Sequence, residues 1–538
     1  MTQDTRNAPI IGILKKKIHE EGTRIIFEGS CIIRINGNRG KVDTDLITVD
    51  IRERQDIATL SFGSRYGRAL PGGICFNTFR LEIDRSEAQY LDIQNKIRPV
   101  YMGQYIGRFL YDAADLRRGR NKNSEIFIHD GVAMYFRQNI NNSLIFTVRD
   151  VNRYDYPEEQ ERLRRAKRAS RKLRGSDIVL MYEKNCSKYE ESASVLYEKL
   201  IDAGYDNVFF IVDKSIPAVQ GLDEKYRKNL IDKDSDKHLE YYFACNKFVA
   251  TETIDHALQL RIASKDVQDK MNGKGLKYVF LQHGVMYMVS LNATTRSGFH
   301  KKKNYSLHRT VVSSELEAKH FTDLAEMPYE DLYVTGLAKF DKAYRNEDAD
   351  RIVIMPTWRR WETNQAKTDL HGTGYYKMVR LMLESVPEEL REKVIILPHP
   401  LISGRFSDEE DLAQYVKVTD QYDPVLRDCA LLITDYSSIA YDVYYRGSNV
   451  IFYWKDKDDS MEHYGEGTHL MLNEDNVFGP VCMDADQLRE AILARYNKPQ
   501  DEKELERYRR IVEFHDGKNS ERIMKLLIRD GVLEEKGN

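Results

Sequence analysis

The chain has 538 residues, with 82 Lys and Arg against 85 Asp and Glu for a formal net charge of −3, and 41% of its side chains are hydrophobic. That length holds about three to four domains and the composition forms cores, which excludes a single small module and a low-complexity or collagen-like chain. Near-cancelling charge excludes a whole-protein basic field for gripping nucleic acid, so no nucleic-acid partner is expected, while local basic patches remain open.

Up to about residue 150 the pattern is strand-like. TRIIFEGSCIIRI (23–35), EIFIHDGVAMYF (125–136) and NSLIFTVRDV (142–151) are rich in β-branched and aromatic residues. Asn36-Gly37 and Pro71-Gly72-Gly73 are turn signals. This predicts an antiparallel β-rich accessory domain over 1–160, built as a sandwich. RLRRAKRASRKLR (162–174) then carries eight cations and no acid. It predicts a basic linker helix over 161–176, either solvated or facing anionic lipid or polymer.

From Asp177 the chain alternates strand and helix. Apolar runs DIVLMY, NVFFIVD, KFVATE, KYVFLQH, RTVVSS and DLYVTG form one series; DRIVIMPT, KVIILPHP, CALLITD and NVIFYW form a second. Nearly continuous apolar strands between helices imply parallel sheets buried on both faces. The expected fold is α/β, with two Rossmann-like halves, 177–345 and 346–538, facing a cleft.

Ligands of open parallel sheets bind outside the carboxyl ends of the strands. Here those ends deliver His283-Gly284, Thr335-Gly336 followed by Lys339 and Asp341, Thr357-Trp358-Arg359-Arg360, His399, and Asp435-Tyr436-Ser437-Ser438. A histidine directly after a strand suits acid–base work near neutral pH. For a lone histidine a packing role is the commoner explanation, but two at equivalent strand ends reverse that preference. Ser437 and Ser438 sit where a strand turns into a helix, a place suited to a phosphate; one of them could equally be a simple cap. Arg359 and Arg360 could meet the same anion, although a Trp-Arg-Arg run alone fits surface packing about as well.

Other chemistries fail on spacing. No Gly-rich loop ends in Gly-Lys-Ser/Thr, no Gly-x-Gly-x-x-Gly follows a strand, and His19-Glu20-Glu21 does not continue to HExxH. The acidic run Asp456–Asp459 lacks the glycine and terminal glutamate of a calcium loop. Six cysteines (31, 75, 186, 245, 429 and 482) lie far apart without a Cys-x-x-Cys pair, so reduced thiols are expected and neither metal nor cofactor is. The first residues place basic side chains after a short apolar run, the reverse of a secretory signal, and no stretch approaches the roughly 20 apolar residues of a membrane span. A soluble or peripheral protein is the expectation.

In order, QHG (282–284), TGLAKFD (335–341), MPTWRR (355–360), PHP (398–400), TDYSSIAYD (434–442) and HDGKNSER (515–522) resemble the CDP-glycerol glycerophosphotransferase family, the teichoic-acid and capsule polymerases. The resemblance covers roughly residues 177–530. It implies a GT-B fold, a CDP-polyol donor carrying glycerol phosphate or ribitol phosphate, an anionic polyol-phosphate or lipid-linked polymer as acceptor, and release of CMP. By the same resemblance His283 acts as base on the acceptor hydroxyl and His399 contacts the donor phosphates. Thr357, Arg359, Asp435, Ser437 and Ser438 would hold the donor, with Gly284, Lys339, Asp341 and Arg360 at acceptor or phosphate. It implies a cytoplasmic protein, peripheral to the inner face of the cell membrane. A nucleotide-sugar glycosyltransferase on the same fold is the alternative. Two departures, Gln282 in place of the usual tryptophan and Gly336-Leu-Ala-Lys339 in place of a Gly-x-Pro-Arg stretch, fall on the acceptor side.

Overall fold

The computed structural model describes the chain except residues 1–9, 35–43, 53, 65–73, 93, 102–103, 106–107, 111–124, 139–142, 259–261, 263, 272, 274, 292–304, 400–401, 420, 466 and 537–538. The turns expected at Asn36-Gly37 and Pro71-Gly72-Gly73 lie outside the described residues. Two compact units are present, one of residues 1–165 with 261–269 and one of 166–260 with 270–538.

Among the described residues, eleven strands precede Asn152: β1 (Ile10–Glu21), β2 (Arg24–Arg34), β3 (Ile47–Ile51), β4 (Ala58–Ser64), β5 (Ile74–Asp84), β6 (Asn95–Tyr101), β7 (Gln104–Tyr105), β8 (Arg108–Leu110), β9 (Phe127–His129), β10 (Val132–Gln138) and β11 (Leu144–Asp150). They form one sheet in the order β4-β5-β2-β1-β8 and a second in the order β3-β6-β11-β10-β9, with β7 on β6. Pairing is antiparallel except between β1 and β8. One face of each sheet is apolar, and the two meet in a single core of residues such as Ile25, Phe27, Leu81, Phe136 and Phe146. The Phe27 and Phe136 rings stack across it with centroids 4.6 Å apart. The expected β-rich sandwich is present.

A helix over Pro157–Ala169 and a 3₁₀ turn over Ser170–Leu173 carry the basic run. Leu163, Ala166 and Ser170 are buried there, while Arg164, Arg165, Lys167, Arg168, Arg171, Lys172 and Arg174 are exposed.

The second unit holds two wholly parallel sheets. The first comprises β12 (Val179–Tyr182), β13 (Val208–Val212), β14 (Leu230–Asp232), β15 (Lys247–Ala250), β16 (Lys277–Phe280), β17 (Leu307–Val312) and β18 (Leu332–Val334), ordered β14-β13-β12-β15-β16-β17-β18. The second comprises β19 (Arg351–Ile354), β20 (Val394–Ile396), β21 (Cys429–Thr434), β22 (Asn449–Tyr453) and β23 (Val481–Cys482), ordered β20-β19-β21-β22-β23. Every long apolar run became a strand; β14 and β23, three and two residues long, carry too little pattern to be foreseen. The covering helices are amphipathic: Ser192–Asp202 buries Ala193, Leu196, Tyr197 and Leu200, the spacing of one helical face.

Strand order reverses between β12 and β15 in the first sheet and between β19 and β21 in the second. At each reversal the crossover helices leave on opposite faces and open a crevice at the carboxyl edge. The chain does not end on the second sheet. Its last helix, Asn519–Arg529, returns to the first, where Asp530 Oδ2 accepts from Tyr333 OH at 2.8 Å and Arg309 Nε at 2.7 Å.

Candidate functional site

His283 follows β16 after Leu281 and Gln282. Gln282 is fully buried, adopts a left-handed backbone (φ 57°) and donates from Nε2 to Val311 O. That reversal ends the strand abruptly and leaves the neighbouring His283 solvent-accessible. Gly284 comes next, and a Cβ on it would lie 3.1 Å from Ser438 Oγ. A side chain at Gly284 would crowd Ser438, so glycine eases the close approach of the His283 loop of the first sheet to the Ser437-Ser438 turn of the second. His283, Lys339, Ser437 and Ser438 line one cavity of about 410 Å³, together with Lys184 and Asp442.

His283 Nδ1 lies 3.5 Å from Thr251 O. A proton on Nδ1 directed at that carbonyl leaves Nε2 as the acceptor. Crowding by the cavity walls lowers the His283 pKa below the ordinary imidazole value, and the positive charges of Lys184 and Lys339 act in the same direction. The ring is therefore neutral near pH 7. Lys339 Nζ bridges His283 O at 3.0 Å and the Asp442 carboxylate at 2.5 Å, while Lys184 pairs with Glu191 at 3.2 Å. Both ammoniums are thus held in place before any ligand arrives.

Other expected residues serve the frame. Asp341 does not face the cavity; its carboxylate caps the last helix, accepting from Asn519 N at 2.8 Å and Ser520 N at 2.7 Å. Gly336 is needed as glycine because its φ is +79° and a Cβ would fall 2.4 Å from Asn519 Oδ1. Of the TGLAKFD run, Lys339 alone lines the cavity.

Asp435 is fully buried. It accepts from Thr357 N at 2.9 Å, Thr357 Oγ1 at 2.8 Å, Tyr436 N at 2.6 Å and Arg359 Nη1 at 2.9 Å. Arg359 is only 2% exposed, and its guanidinium also donates to Thr357 O, Tyr436 OH and Asp456. Burial opposes that charge, but Asp435, Tyr436 and Asp456 outweigh it and raise the pKa. Arg359, expected to meet an anionic ligand, directs its donors inside the protein, where they fasten the turn after β19 to the turn after β21. Arg360, the next residue, is exposed and has no ion-pair partner among the described residues. Its charge, after burial, is what lowers the His399 pKa. His399 is half-buried, with its ring stacked near Trp358 (centroids 6.2 Å, 24°), and it lies outside the lining of the 410 Å³ cavity. Neither Thr357, Asp435, Arg359 nor Arg360 lines it either.

Lys184, Asp442, Glu183 and Glu317 were not foreseen. Lys184 and Glu183 directly follow β12, so the strand-end argument, applied from the first strand of the series, would have found them. Glu183 is fully buried and accepts from Glu190 N, Glu191 N and Ser194 N, three residues that line the cavity; burial raises its pKa. Glu317 lies in the first turn of the helix Glu315–Ala325, three residues after its cap Ser314, and follows no strand directly. Chemically, the cavity offers a neutral imidazole, two fixed ammoniums and two hydroxyls: a base beside donors for an anion. Among the described residues no group of three or more His, Cys, Asp or Glu is placed to hold a metal ion, and no helix is long and apolar enough to cross a membrane.

The sequence model of CDP-Glycerol:Poly(glycerophosphate) glycerophosphotransferase matches residues 165–529. The chain is 23% identical over 298 residues to the minor teichoic acid biosynthesis protein GgaB of Bacillus subtilis, spanning 50% of this chain and 31% of that protein. It is 25% identical over 251 residues to the teichoic acid ribitol-phosphate polymerase TarK of Staphylococcus aureus, 42% of this chain and 46% of that one. The chain thus matches less than half the length of either relative. A solved structure of the wall teichoic acid polymerase TagF, H548A, superposes with a TM-score of 0.50 at 16% identity, covering 71% of this chain and 100% of that one.

Proposed function

The chain belongs to the CDP-glycerol:poly(glycerophosphate) glycerophosphotransferase family, and on that premise we propose that it transfers a polyol phosphate, glycerol phosphate or ribitol phosphate, from a CDP-activated donor to a hydroxyl of a growing teichoic-acid or capsule-type polymer. His283 Nε2 takes the proton of the acceptor hydroxyl as its oxygen attacks the polyol-bearing phosphorus. The bond from that phosphorus to the bridging oxygen breaks, the electron pair stays on that oxygen, and CMP leaves. Lys184 and Lys339, with the Ser437 and Ser438 hydroxyls, meet the charge that develops on the phosphoryl oxygens. Positioning and charge stabilisation dominate phosphoryl transfer, and donors fixed beforehand cost no reorganisation during the step. Arg360 and His399 contribute to the donor's diphosphate, while Arg359 and Asp435 keep Thr357 and the Ser437-Ser438 turn in register.

The observation that carries this reading is the close approach of His283-Gly284 to Ser438, which sets a base from one sheet beside hydroxyls from the other. The teichoic-acid roles of the named relatives support the choice of acceptor class. At the inner face of the cell membrane, the exposed cations at 164–174 would hold the enzyme near a lipid-linked acceptor.

A donor panel of CDP-glycerol, CDP-ribitol and nucleotide sugars, scored by nucleotide release, tests the reading. CMP release from a CDP-polyol is expected. Turnover of a nucleotide sugar with none of a CDP-polyol would replace it with glycosyl transfer.

A further inference from the structure

The accessory sandwich has no part in this mechanism, yet its five-stranded sheet carries a built feature. A trough of about 660 Å³ crosses β1, β2, β5 and β4. The pairing places Lys15, Ser30, Thr78 and Gly63 in one row and Lys17, Glu28, Arg80 and Ser61 in the next. A register shift between Ile13 and Lys15 creates the first row. Ile13 lies in the core, so strict alternation would send Lys15 inward as well; the extra residue turns Lys15 and Lys17 out. Gly29 sits opposite this bulge, and a Cβ on it would fall 1.9 Å from Lys15 O. Gly63 leaves the far end open, since a Cβ there would meet Thr78 Oγ1 at 2.5 Å.

Charge in the trough is not balanced locally. Arg80 takes up Glu21, Glu28 and Glu82 together. Lys15 and Lys17 are exposed and have no acidic partner among the described residues. They stand two apart on one strand, their Cα atoms roughly 6.6 Å apart, with Ser30 on the neighbouring strand and Thr78 and Ser61 farther across the trough. Uncommitted cations along one side of the trough and hydroxyls across it match a polymer that carries both phosphates and polyol hydroxyls.

We propose that this outer face of the accessory sheet is a binding site for the polyol-phosphate polymer, its phosphates on Lys15 and Lys17 and its hydroxyls along Ser30, Thr78 and Ser61. The identity of the occupant rests on the transferase reading above. Such a site keeps the growing chain on the enzyme between additions and raises the local concentration of its end.

The test uses the full-length protein with fluorescently labelled poly(glycerol phosphate), dextran as neutral control, and three proteins: wild type, K15Q/K17Q and S61Y. Ser61 is exposed on an edge strand, so the tyrosine fills the trough without altering charge. Both variants should bind the polymer about tenfold more weakly, as loss of two exposed ion pairs predicts for the first. Both should make shorter chains, while releasing CMP at the wild-type rate with a trimeric acceptor. Wild-type polymer affinity in either variant, or equal binding of dextran by the wild type, would overturn the site. If the wild type released no CMP from any CDP-polyol yet lost polymer binding on K15Q/K17Q, the transferase reading would fall and the site would stand.

Discussion

Glu317 Oε1 accepts the backbone N–H of Met286 at 2.7 Å, three residues beyond His283. The carboxylate is fully buried, and its other oxygen accepts from Ser313 N at 2.5 Å and Ser313 Oγ at 2.7 Å. It therefore ties the segment that carries His283 to the end of β17, and Ser313 Oγ lies 2.7 Å from Ile511 O near the start of the last segment. Glu317→Gln removes the charge and turns an NH₂ toward N–H donors. Since a misplacement of about 1 Å can cost about 10²-fold, we expect kcat to fall by up to that factor. Donor KM should change little, because Ser437, Ser438 and Arg360 belong to the other half. Glu317→Asp should recover part of the loss. Steady-state CMP release at varied donor decides; an unchanged kcat would rule out a positioning role.

His283→Ala should lower CMP release by about 10²–10⁴-fold, the usual worth of a positioned base. The pH dependence is more specific. Desolvation by the surrounding cavity walls and the neighbouring lysines hold the His283 pKa below the ordinary imidazole value of 6.5, so its neutral, proton-accepting form persists below that pH. Activity should be retained as pH falls through 6.5 and be lost only below the depressed value. Lys184→Met removes one of the depressing charges and should move the acid limb of kcat/KM upward, toward 6.5. A limb that stays in place, or moves to lower pH, contradicts the assignment.

Of the residues singled out at strand ends, His283, Lys339, Ser437 and Ser438 line the cavity and the others do not, for a physical reason. Strand ends in a parallel sheet share one edge, so the runs that end at His283 and at Ser437-Ser438 lead to the cavity, whereas those that end at Thr357 and His399 lead to residues outside its lining. Which of two adjacent residues points inward is set by packing between distant turns. Arg359 and Arg360 are equivalent in sequence, yet Asp435 and Asp456, which arrive from β21 and from beyond β22, capture the first and leave the second. Asp341 is similar: its role appears only when the last helix returns to offer Asn519 N and Ser520 N. Glu317 depends on a contact between a first-turn helix side chain and a loop 31 residues earlier, and that long-range contact has no local pattern.

The two arginines should fail in different ways. Arg359→Met leaves Asp435 buried without its cation, and removing one partner of a buried pair typically costs about 3–5 kcal/mol. That variant should unfold at markedly lower denaturant and lose activity through the altered Thr357 and Ser437-Ser438 turns. Arg360→Ala removes an exposed, unpaired charge, so its melting transition should match the wild type within about 0.5 kcal/mol. Donor KM should rise instead, and the His399 pKa should rise toward the ordinary value as the nearby positive charge goes. Chemical denaturation with donor titration separates the two; a stable Arg359→Met protein with only a raised donor KM would reverse the roles assigned here.

The exposed cations after the accessory domain bear on where the protein works. The helix Pro157–Ala169 and the following turn bury Leu163, Ala166 and Ser170 while Arg164, Arg165, Arg171, Lys172 and Arg174 remain exposed. The apolar positions are therefore occupied in packing, and any hold on a bilayer is electrostatic rather than insertive. Each cation near an anionic surface is worth about 1 kcal/mol, so five acting together would suffice for stable attachment. Screening then dictates the outcome: binding to vesicles containing anionic lipid should be strong at low salt and weaken as the Debye length falls below roughly 10 Å near 0.1 M salt. Replacing those five residues by glutamine should abolish cosedimentation with such vesicles at low salt, and leave CMP release with a soluble acceptor unchanged. Attachment that survives either high salt or the substitutions would mean that another part of the chain makes the contact.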